Sequence, residues 1–499
     1  VIPVYALALE PVAVMGLGRS GLASARALMA AGAKVRAWDD DAARRAAAEA
    51  EGIPLADLGE ADLSGTRAMV WSPGIPHSLP TPHPVAERAR AAGVPLLCDI
   101  DLLAASCRTA FTVGVTGTNG KSTTTALIGH ILGRAGQRVQ VGGNLGVPAL
   151  DLEPLSDFGT YVLELSSYQL DLIRDLTCDV AVLLNVSADH LERHGGMDGY
   201  VAAKRRILDG VLPPRTVCIG VDDETCRAIH GELVSQDTRR LIPFSAERPI
   251  PGGVTTAKGV LVDAIDGRPD RVMDLTGVAT LAGAHNWQNA AAAYAACRAR
   301  GLPASVIAAA IQSFPGLPHR HEPVATVGAV HFVNDSKATN AEAAEKAILC
   351  HEDIYWIAGG QAKEGGIDRL EPHLDRIVHA YLIGDAAKAF AAFLDRHEVP
   401  YSLCGTLDKA VPMAFRHAVE DDEEEPVVLL SPACASWDQF DDFAHRGDVF
   451  KALVADLSRA HDRAGTGDQA AETEDDTDAD TGTGTDTDTD TDTDREAPA

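Results

Sequence analysis

The chain has 499 residues, an apolar fraction of 46% and a formal net charge of -29. Its length exceeds one ordinary core and, at roughly 150 residues per domain, predicts about three. Such negative charge argues against nucleic acid or an anionic membrane as the main partner, and nine cysteines without C-x-x-C spacing argue against a disulfide framework or zinc site and fit a reducing cytosol.

The N-terminal VIPVYALALE is apolar but short, lacks a basic region and runs directly into a strand, so it is not read as a signal peptide. No run of about 18 apolar residues is present to span a membrane. VAVMGLG (12–18) predicts a strand followed by a helix from about Ser20 to Ala31; KVRAW (34–38), running into Asp39, and AMVWSPG (68–74) continue the alternation. The rhythm restarts at FTVGVTG (111–117), with YVLELS (161–166) and VAVLLNV (180–186) as buried strands. It restarts again with HFVND (331–335), IYWIAGG (354–360), AYLIGD (380–385) and PVVLLSP (426–432). Alternating strands and helices predict parallel sheets covered on both faces, and three restarts predict three α/β domains with breaks near 108 and 315. SFPGLPHRHEP (313–323) has the Pro and Gly density of a linker. Residues 464–499 hold 13 acids and one arginine, with almost no large apolar side chains, and are expected to be a disordered acidic tail.

TGTNGKSTTT (116–125) lies between a strand and a helical pattern, the context of a phosphate-binding loop. Gly117 and Gly120 let backbone N–H groups turn toward phosphate oxygens, Lys121 supplies a point charge, and the Ser122 hydroxyl is suited to Mg²⁺. Val115 stands where the strict motif has glycine, so the loop is a tighter variant. GLGRSG (16–21) with Asp39 after the next strand reads as a dinucleotide fingerprint, yet the same geometry holds any nucleotide diphosphate. A chain with its own ATP loop needs no nicotinamide. Glu164 at a strand end points toward the ligand crevice of a parallel sheet and is a candidate Mg²⁺ ligand. By itself His190, beside Asp189, reads equally as a turn residue or a ligand, and Lys204 reads as a solvated helix lysine. Asn286 and Asn289 in GAHNWQN either bond a purine or cap a helix. Arg320, Asp335, Lys337, Thr339 and Asn340 gather near a domain edge, and GGQAK (359–363) and SPACASWDQF (431–440) each follow a strand, where binding loops belong.

Taken together, TGTNGKST, ELSSYQL, NVSADH followed by YVAAK, GAHNWQN, GLPHR, NDSKATN and SPACASWDQF resemble the motif series of the Mur ligases, in the same order, across residues 10 to 460. SPACASWDQF, with GGNLG (142–146) and WSPGI (71–75), is similar to the members that add D-glutamate. The resemblance implies a Rossmann-like N-terminal domain (1–108) for UDP-N-acetylmuramoyl-L-alanine, a P-loop ATPase central domain (109–315) and a Rossmann-like C-terminal domain (316–463) for the amino acid, with the tail outside the pattern. By motif it assigns Arg19, Ser20, Asp39, Ser72 and Asn144 to the UDP-muramoyl substrate. It assigns Gly117, Thr118, Asn119, Gly120, Lys121, Ser122, Thr123, Asn286, Asn289, Arg320 and Asp335 to ATP. Lys337, Thr339, Lys363, Ser436 and Phe443 fall to the substrate side as well, the last four around D-glutamate. Lys121, Glu164, His190 and Lys204 are implied to be catalytic. Two Mg²⁺ ions are implied, one on Ser122 and Glu164, the other on His190 and Lys204, which the family carries as a carbamate. The implied activity is ATP-dependent ligation of D-glutamate through an acyl phosphate, by a cytoplasmic monomer whose partners are small molecules, with no nucleic acid and no membrane insertion. A folylpolyglutamate synthase would lack the GLGRSG domain, a sister Mur ligase would lack SPACASWDQF, and a non-catalytic nucleotide-binding regulator would not need Glu164, His190 and Lys204 together.

Overall fold

Three sheets organise the chain in the computed structural model, which describes residues 1–471 apart from 175, 210–214, 237–238, 363–365 and 422. In the first, β1 (Pro11–Met15), α1 (Arg19–Ala30), β2 (Lys34–Trp38), α2 (Ala42–Ala50), β3 (Ala68–Trp71), α3 (Pro84–Ala91), β4 (Leu96–Leu97) and α4 (Asp99–Ser106) give an all-parallel order β2-β1-β3-β4. The second comprises β5 (Phe111–Thr116), α5 (Lys121–Arg134), β6 (Arg138–Gly143), β7 (Gly159–Glu164), α6 (Ser167–Leu172), β8 (Val180–Leu183), α7 (Leu191–His194), α8 (Met197–Asp209), β9 (Thr216–Gly220), α9 (Glu224–Gln236), β10 (Arg240–Ser245), β11 (Val254–Thr255), β12 (Val260–Asp263), β13 (Asp270–Asp274), α10 (Ala284–Ala299) and α11 (Ala304–Gln312). Its nine strands run β13-β12-β11-β10-β9-β8-β5-β7-β6. The third holds β14 (Glu322–Val327), β15 (Val330–Asn334), α12 (Ala341–Ile348), β16 (Ile354–Gly359), β17 (Ile377–Ile383), α13 (Ala387–Arg396), β18 (Tyr401–Gly405), α14 (Leu407–Glu420), β19 (Val427–Leu430) and α15 (Phe443–Ala471), with strand order β14-β15-β19-β16-β17-β18.

The three-domain α/β architecture expected from the sequence is the observed one, with a refinement at two edges. The pairs β11–β12, β12–β13 and β14–β15 are antiparallel. Their connections are too short for the crossover that a parallel pair requires, so each is a hairpin. β14 begins inside the segment read as a linker. Helix α15 continues to Ala471, and the rest of the acidic tail, 472–499, lies outside the described residues. Among the described residues no helix is long and apolar enough to cross a membrane, and no disulfide joins any of the nine cysteines.

Strands buried on both faces distribute alternate side chains to different cores. Along β16, Ile354, Trp356 and Ala358 enter one apolar cluster while Tyr355 and Ile357 enter another. Along β8, Ala181 and Leu183 belong to a cluster that also holds Val12, Val14 and Trp71 of the first sheet, whereas Val180 and Val182 pack with Leu127 and Ala291 on the opposite face. The first two domains therefore share one continuous apolar core. The third has two clusters of its own.

Candidate active site

β5 lies between β8 and β7, so the chain leaves it at a point where the strand order diverges and a crevice opens beyond the strand ends. The phosphate loop fills that place. Gly120, at φ 83°, caps α5, and a Cβ there would come within 2.0 Å of Asn289 Oδ1. The Thr118 N–H donates to the Asn185 carbonyl at 2.9 Å and the Asn119 N–H to Asn185 Oδ1 at 2.8 Å, which fixes the loop from below. Lys121 Nζ folds back to donate to the carbonyls of Gly117 (2.9 Å) and Thr118 (2.7 Å). Burial lowers its pKa, against the opposing pull of Glu164 and Asp189. Thr123 is buried at the cavity wall, and Ser122 follows Lys121 in the first turn of α5.

On one side of this loop is a cavity of about 410 Å³, lined by Arg19 and Ser20 of the first domain and by Lys121, Asn144, His190 and Lys204 of the second. Glu164 ends β7 and is 2% exposed. Its Oε1 accepts from Asn144 Nδ2 at 2.7 Å, while Oε2 is buried with no hydrogen-bond partner. His190 stands in the left-handed region (φ 52°), against the Tyr168 ring at 4.9 Å between centroids and with Nε2 3.4 Å from Asp189. Lys204 is not a solvated helix lysine. It is 1% exposed and its Nζ donates to the Gly117 carbonyl at 2.7 Å and lies 4.6 Å from the centre of the Tyr200 ring. Burial, helped by the nearby Lys121, pushes its amine down to about 7.

On the other side is a cavity of about 220 Å³ that reaches into the third domain. Asp189 lines both cavities. Asn286 and Asn289 of α10 line the second, but their amides are engaged within the protein. Asn286 Nδ2 donates to the Ala282 carbonyl (2.9 Å) and Asn289 Nδ2 to Asn286 Oδ1 (3.1 Å), leaving Asn289 as a brace beneath Gly120. From the third domain come Arg320, Asp335 and Lys337. Asp335 accepts from the His321 N–H (3.1 Å) and the Ser431 hydroxyl (2.9 Å), and burial pushes its carboxyl up to about 7. Asn119 Nδ2 reaches Glu342 of α12 at 3.3 Å across the domain junction.

The remaining residues singled out from the sequence are dispersed. Asp39 faces inward. Burial opposes its ionisation, but the N–H groups of Leu17 (2.7 Å) and Asp41 (2.9 Å), with Arg44, hold its carboxyl below the ordinary range. The Ser72 hydroxyl donates to the Gly16 carbonyl at 3.1 Å. Both residues thus buttress the glycine turn from behind, while Arg19 and Ser20 reach the cavity. Lys337 Nζ lies 3.7 Å from the centre of the Phe443 ring, and the Thr339 N–H donates to the Lys337 carbonyl at 2.9 Å. Ser436 is buried, and its carbonyl accepts from Gln439 and Phe440. Lys363 lies outside the described residues.

Two further residues belong to this neighbourhood. Tyr200 bonds Thr118 Oγ1 at 3.0 Å and lies one turn before Lys204, a spacing that could have pointed to it. Arg446 is fully buried and ties the Ser336 carbonyl (2.8 Å) and hydroxyl (2.9 Å) to the Cys434 carbonyl (3.1 Å), joining two loops more than ninety positions apart. No short motif marks it.

Residues 115–297 match the Mur ligase middle domain. The UDP-N-acetylmuramoylalanine--D-glutamate ligase of Rhodospirillum rubrum is 58% identical, covering 93% of this chain and 98% of that protein. Proteins of the same name from Paramagnetospirillum magneticum and Caulobacter vibrioides are 54% and 50% identical, covering 91% and 93% of this chain and 97% and 99% of their own lengths. The fold is similar to that of the UDP-N-acetylmuramate-alanine ligase from Thermotoga maritima, with a TM-score of 0.56 at 18% identity over 90% of this chain and 99% of that one. With near-complete coverage at this identity, and with the motif loops gathered around a single phosphate loop, the chain belongs to the Mur ligase family, among the UDP-N-acetylmuramoylalanine--D-glutamate ligases.

Proposed function

We propose that this chain uses ATP to join D-glutamate to UDP-N-acetylmuramoyl-L-alanine, releasing ADP and phosphate, as a step of peptidoglycan synthesis. The observation that carries the reading is the meeting of two cavities at one phosphate loop, the first opening toward the N-terminal domain and the second toward the C-terminal domain. The name shared by the relatives supplies the reactants. On this reading residues 1–108 hold the UDP substrate, 109–315 ATP and 316–463 D-glutamate.

The acceptor carboxylate and the γ-phosphoryl group are both anionic, so neutralisation and alignment dominate the barrier. Lys121 and the N–H groups at the start of α5 hold the phosphates, with Gly117, Thr118, Asn119, Gly120, Ser122 and Thr123 forming the cradle. Asn286, Asn289, Arg320 and Asp335 surround the rest of the nucleotide. Arg19 and Ser20, at the N-terminus of α1, take the acceptor's diphosphate, Asn144 faces the muramoyl portion, and Asp39 and Ser72 keep the turn in shape. The acceptor carboxylate oxygen attacks phosphorus and the bond to ADP breaks, leaving an acyl phosphate. The amine of D-glutamate, held by Thr339, Lys363, Ser436 and Phe443 with Lys337 nearby, attacks the acyl carbon and loses a proton as phosphate departs with the former carboxylate oxygen.

Mg²⁺, when bound at two sites, supplies further neutralisation of phosphate charge. Ser122 and Glu164 would hold one ion, and His190 and Lys204 the other. Glu164 fits that role because its buried Oε2 lacks any donor, an arrangement that a cation satisfies. Lys204 fits as a carbamate. Its neutral amine adds carbon dioxide with loss of one proton, replacing a cation by an anionic oxygen ligand of the kind Mg²⁺ prefers, and burial supplies the neutral amine. The nucleotide-linked reactants assign the work to the cytoplasm, and the three domains of one chain complete the site, so a monomer suffices.

Phosphate release with a panel of acceptors and amino acids tests the reading. Release is expected only when ATP, UDP-N-acetylmuramoyl-L-alanine and D-glutamate are all present. Equal release with L-alanine or meso-diaminopimelate in place of D-glutamate would overturn it.

A further inference from the structure

Arg193 is 7% exposed, and among the described residues no carboxylate lies within ion-pair distance of it. Asp171 attracts this guanidinium only from beyond ion-pair distance and the Arg193 Nε is buried without a partner, so the hydrogen bonds of the two terminal nitrogens carry most of the compensation for desolvation. All three go to backbone carbonyls of the first domain: Leu79 at 2.9 Å, Ile75 at 2.9 Å and Pro73 at 3.2 Å. These carbonyls belong to the loop after β3. Pro73 and Gly74 of that loop wall the cavity assigned above to the acceptor. The Trp71 indole N–H donates to the same Ile75 carbonyl at 2.9 Å, so the loop is braced from both domains. Gly195, just past α7, closes the contact from the other direction, since a Cβ there would lie 2.9 Å from Leu79 Cδ1.

The near end of Arg193 is tied to the reacting side. It sits one turn after His190 on α7, with its guanidinium carbon 5.3 Å from the centre of the Tyr168 ring, and that ring also packs against His190. One side chain therefore spans from the loop of the first domain to the wall that carries His190.

We propose that Arg193 is a positioning residue for the acceptor, holding the 73–79 loop at a set distance from His190 and the phosphate loop so that the acceptor carboxylate meets the γ-phosphorus in line. The inference rests on the functional reading given above. A fork of five donors suits three separate carbonyls in a way that a lysine ammonium, a single point charge, does not.

Steady-state kinetics of the full chain bearing R193A and R193K, beside the unmodified chain, test this. In R193A the KM for UDP-N-acetylmuramoyl-L-alanine is expected to rise by about tenfold or more, the usual scale for a lost charge-assisted hydrogen bond. The KM for ATP should change by less than about twofold, because the phosphate loop is untouched. R193K, which keeps the charge and the bulk, should fall between the two, and hydrogen exchange should quicken at 73–79 but not in α5. An unmodified chain inactive with this acceptor would overturn the functional reading and the inference with it. An active chain whose variants keep the original acceptor KM, or lose ATP and acceptor affinity by the same factor, would overturn the inference alone.

Discussion

Lys204 shows how completely a residue's surroundings can reverse its first reading. On a helix of ordinary composition a lysine belongs in solvent, with a pKa near the ordinary 10.5; here the amine is buried beside a second lysine and pushed down to about 7. The folded chain therefore disfavours the ammonium, and neutral amine predominates above about pH 7. If that amine carries the carbamate, turnover should fall as pH drops through about 7 and the amine protonates, and added bicarbonate should restore part of it. Lys204→Ala is expected to lower kcat by roughly 100-fold, the upper range for losing a group that orients a bound metal, with little change in the melting curve. Turnover measured in carbon dioxide-depleted buffer decides the matter. A rate unchanged by depletion, or a near-normal rate in Lys204→Ala, would refute the carbamate.

The elements around the nucleotide cavity meet through histidines. His285 opens α10, His321 lies in the segment before β14, and His351 follows α12. His321 and His351 stack with centroids 5.0 Å apart and ring planes at 10°, their Nε2 atoms 3.2 Å apart. Burial, reinforced by neighbouring histidines, pushes His321 down to about 3 and His351 down to about 4, while the more exposed His285 is lowered by partial desolvation and by the charges of Lys346 and Arg320. A histidine depressed in the folded state favours folding in full above its ordinary 6.5, and that contribution drains away as pH falls toward the depressed value. The junction should therefore weaken between pH 6.5 and about 4, the buried His321 and the half-buried His351 each contributing a slope of up to about 1.4 kcal/mol per pH unit. Thermal melts across this window should show the loss, and His321→Phe, which keeps an aromatic stack without the titration, should lose less. A variant with the same acid profile as the parent would show that the junction does not govern acid stability.

Across the whole molecule, apolar packing is unevenly shared. The first two domains are joined by one cluster, while the third keeps its own cores and touches the nucleotide cavity mainly through polar groups such as the Asn119–Glu342 contact at 3.3 Å. That division suits a third domain that closes after substrates bind, because few apolar contacts must break. The acidic end of the chain contributes differently. Residues 472–499 are mostly Thr, Asp and Glu, with three alanines and one proline, a composition with little apolar surface to offer a core, and their removal relieves part of the net charge of -29. A chain ending at Ala471 is expected to keep its turnover and to melt within about 2 °C of the full chain. A larger fall, or lost activity, would reveal a docking role for the segment.

The sequence by itself determined the α/β class, the three restarts, the phosphate loop and the acid at the end of β7, because these are local: a strand, a turn and a helix N-terminus follow each other within one stretch of chain. It also supplied the family resemblance, through motifs short enough to read one at a time. Only the tertiary structure decided which side chains face the cavities. Asp39 and Ser72 stand in the right motifs yet point behind the glycine turn, since backbone N–H and C=O groups there needed partners. The hairpins of β11–β13 escaped the reading because short edge strands carry too few residues to show a period, and β14 escaped because it begins inside the Pro- and Gly-rich segment read as a linker. Arg193 and Arg446 were invisible because their partners are almost all carbonyls, which every residue carries, so no spacing of side-chain types betrays a contact made across more than a hundred positions.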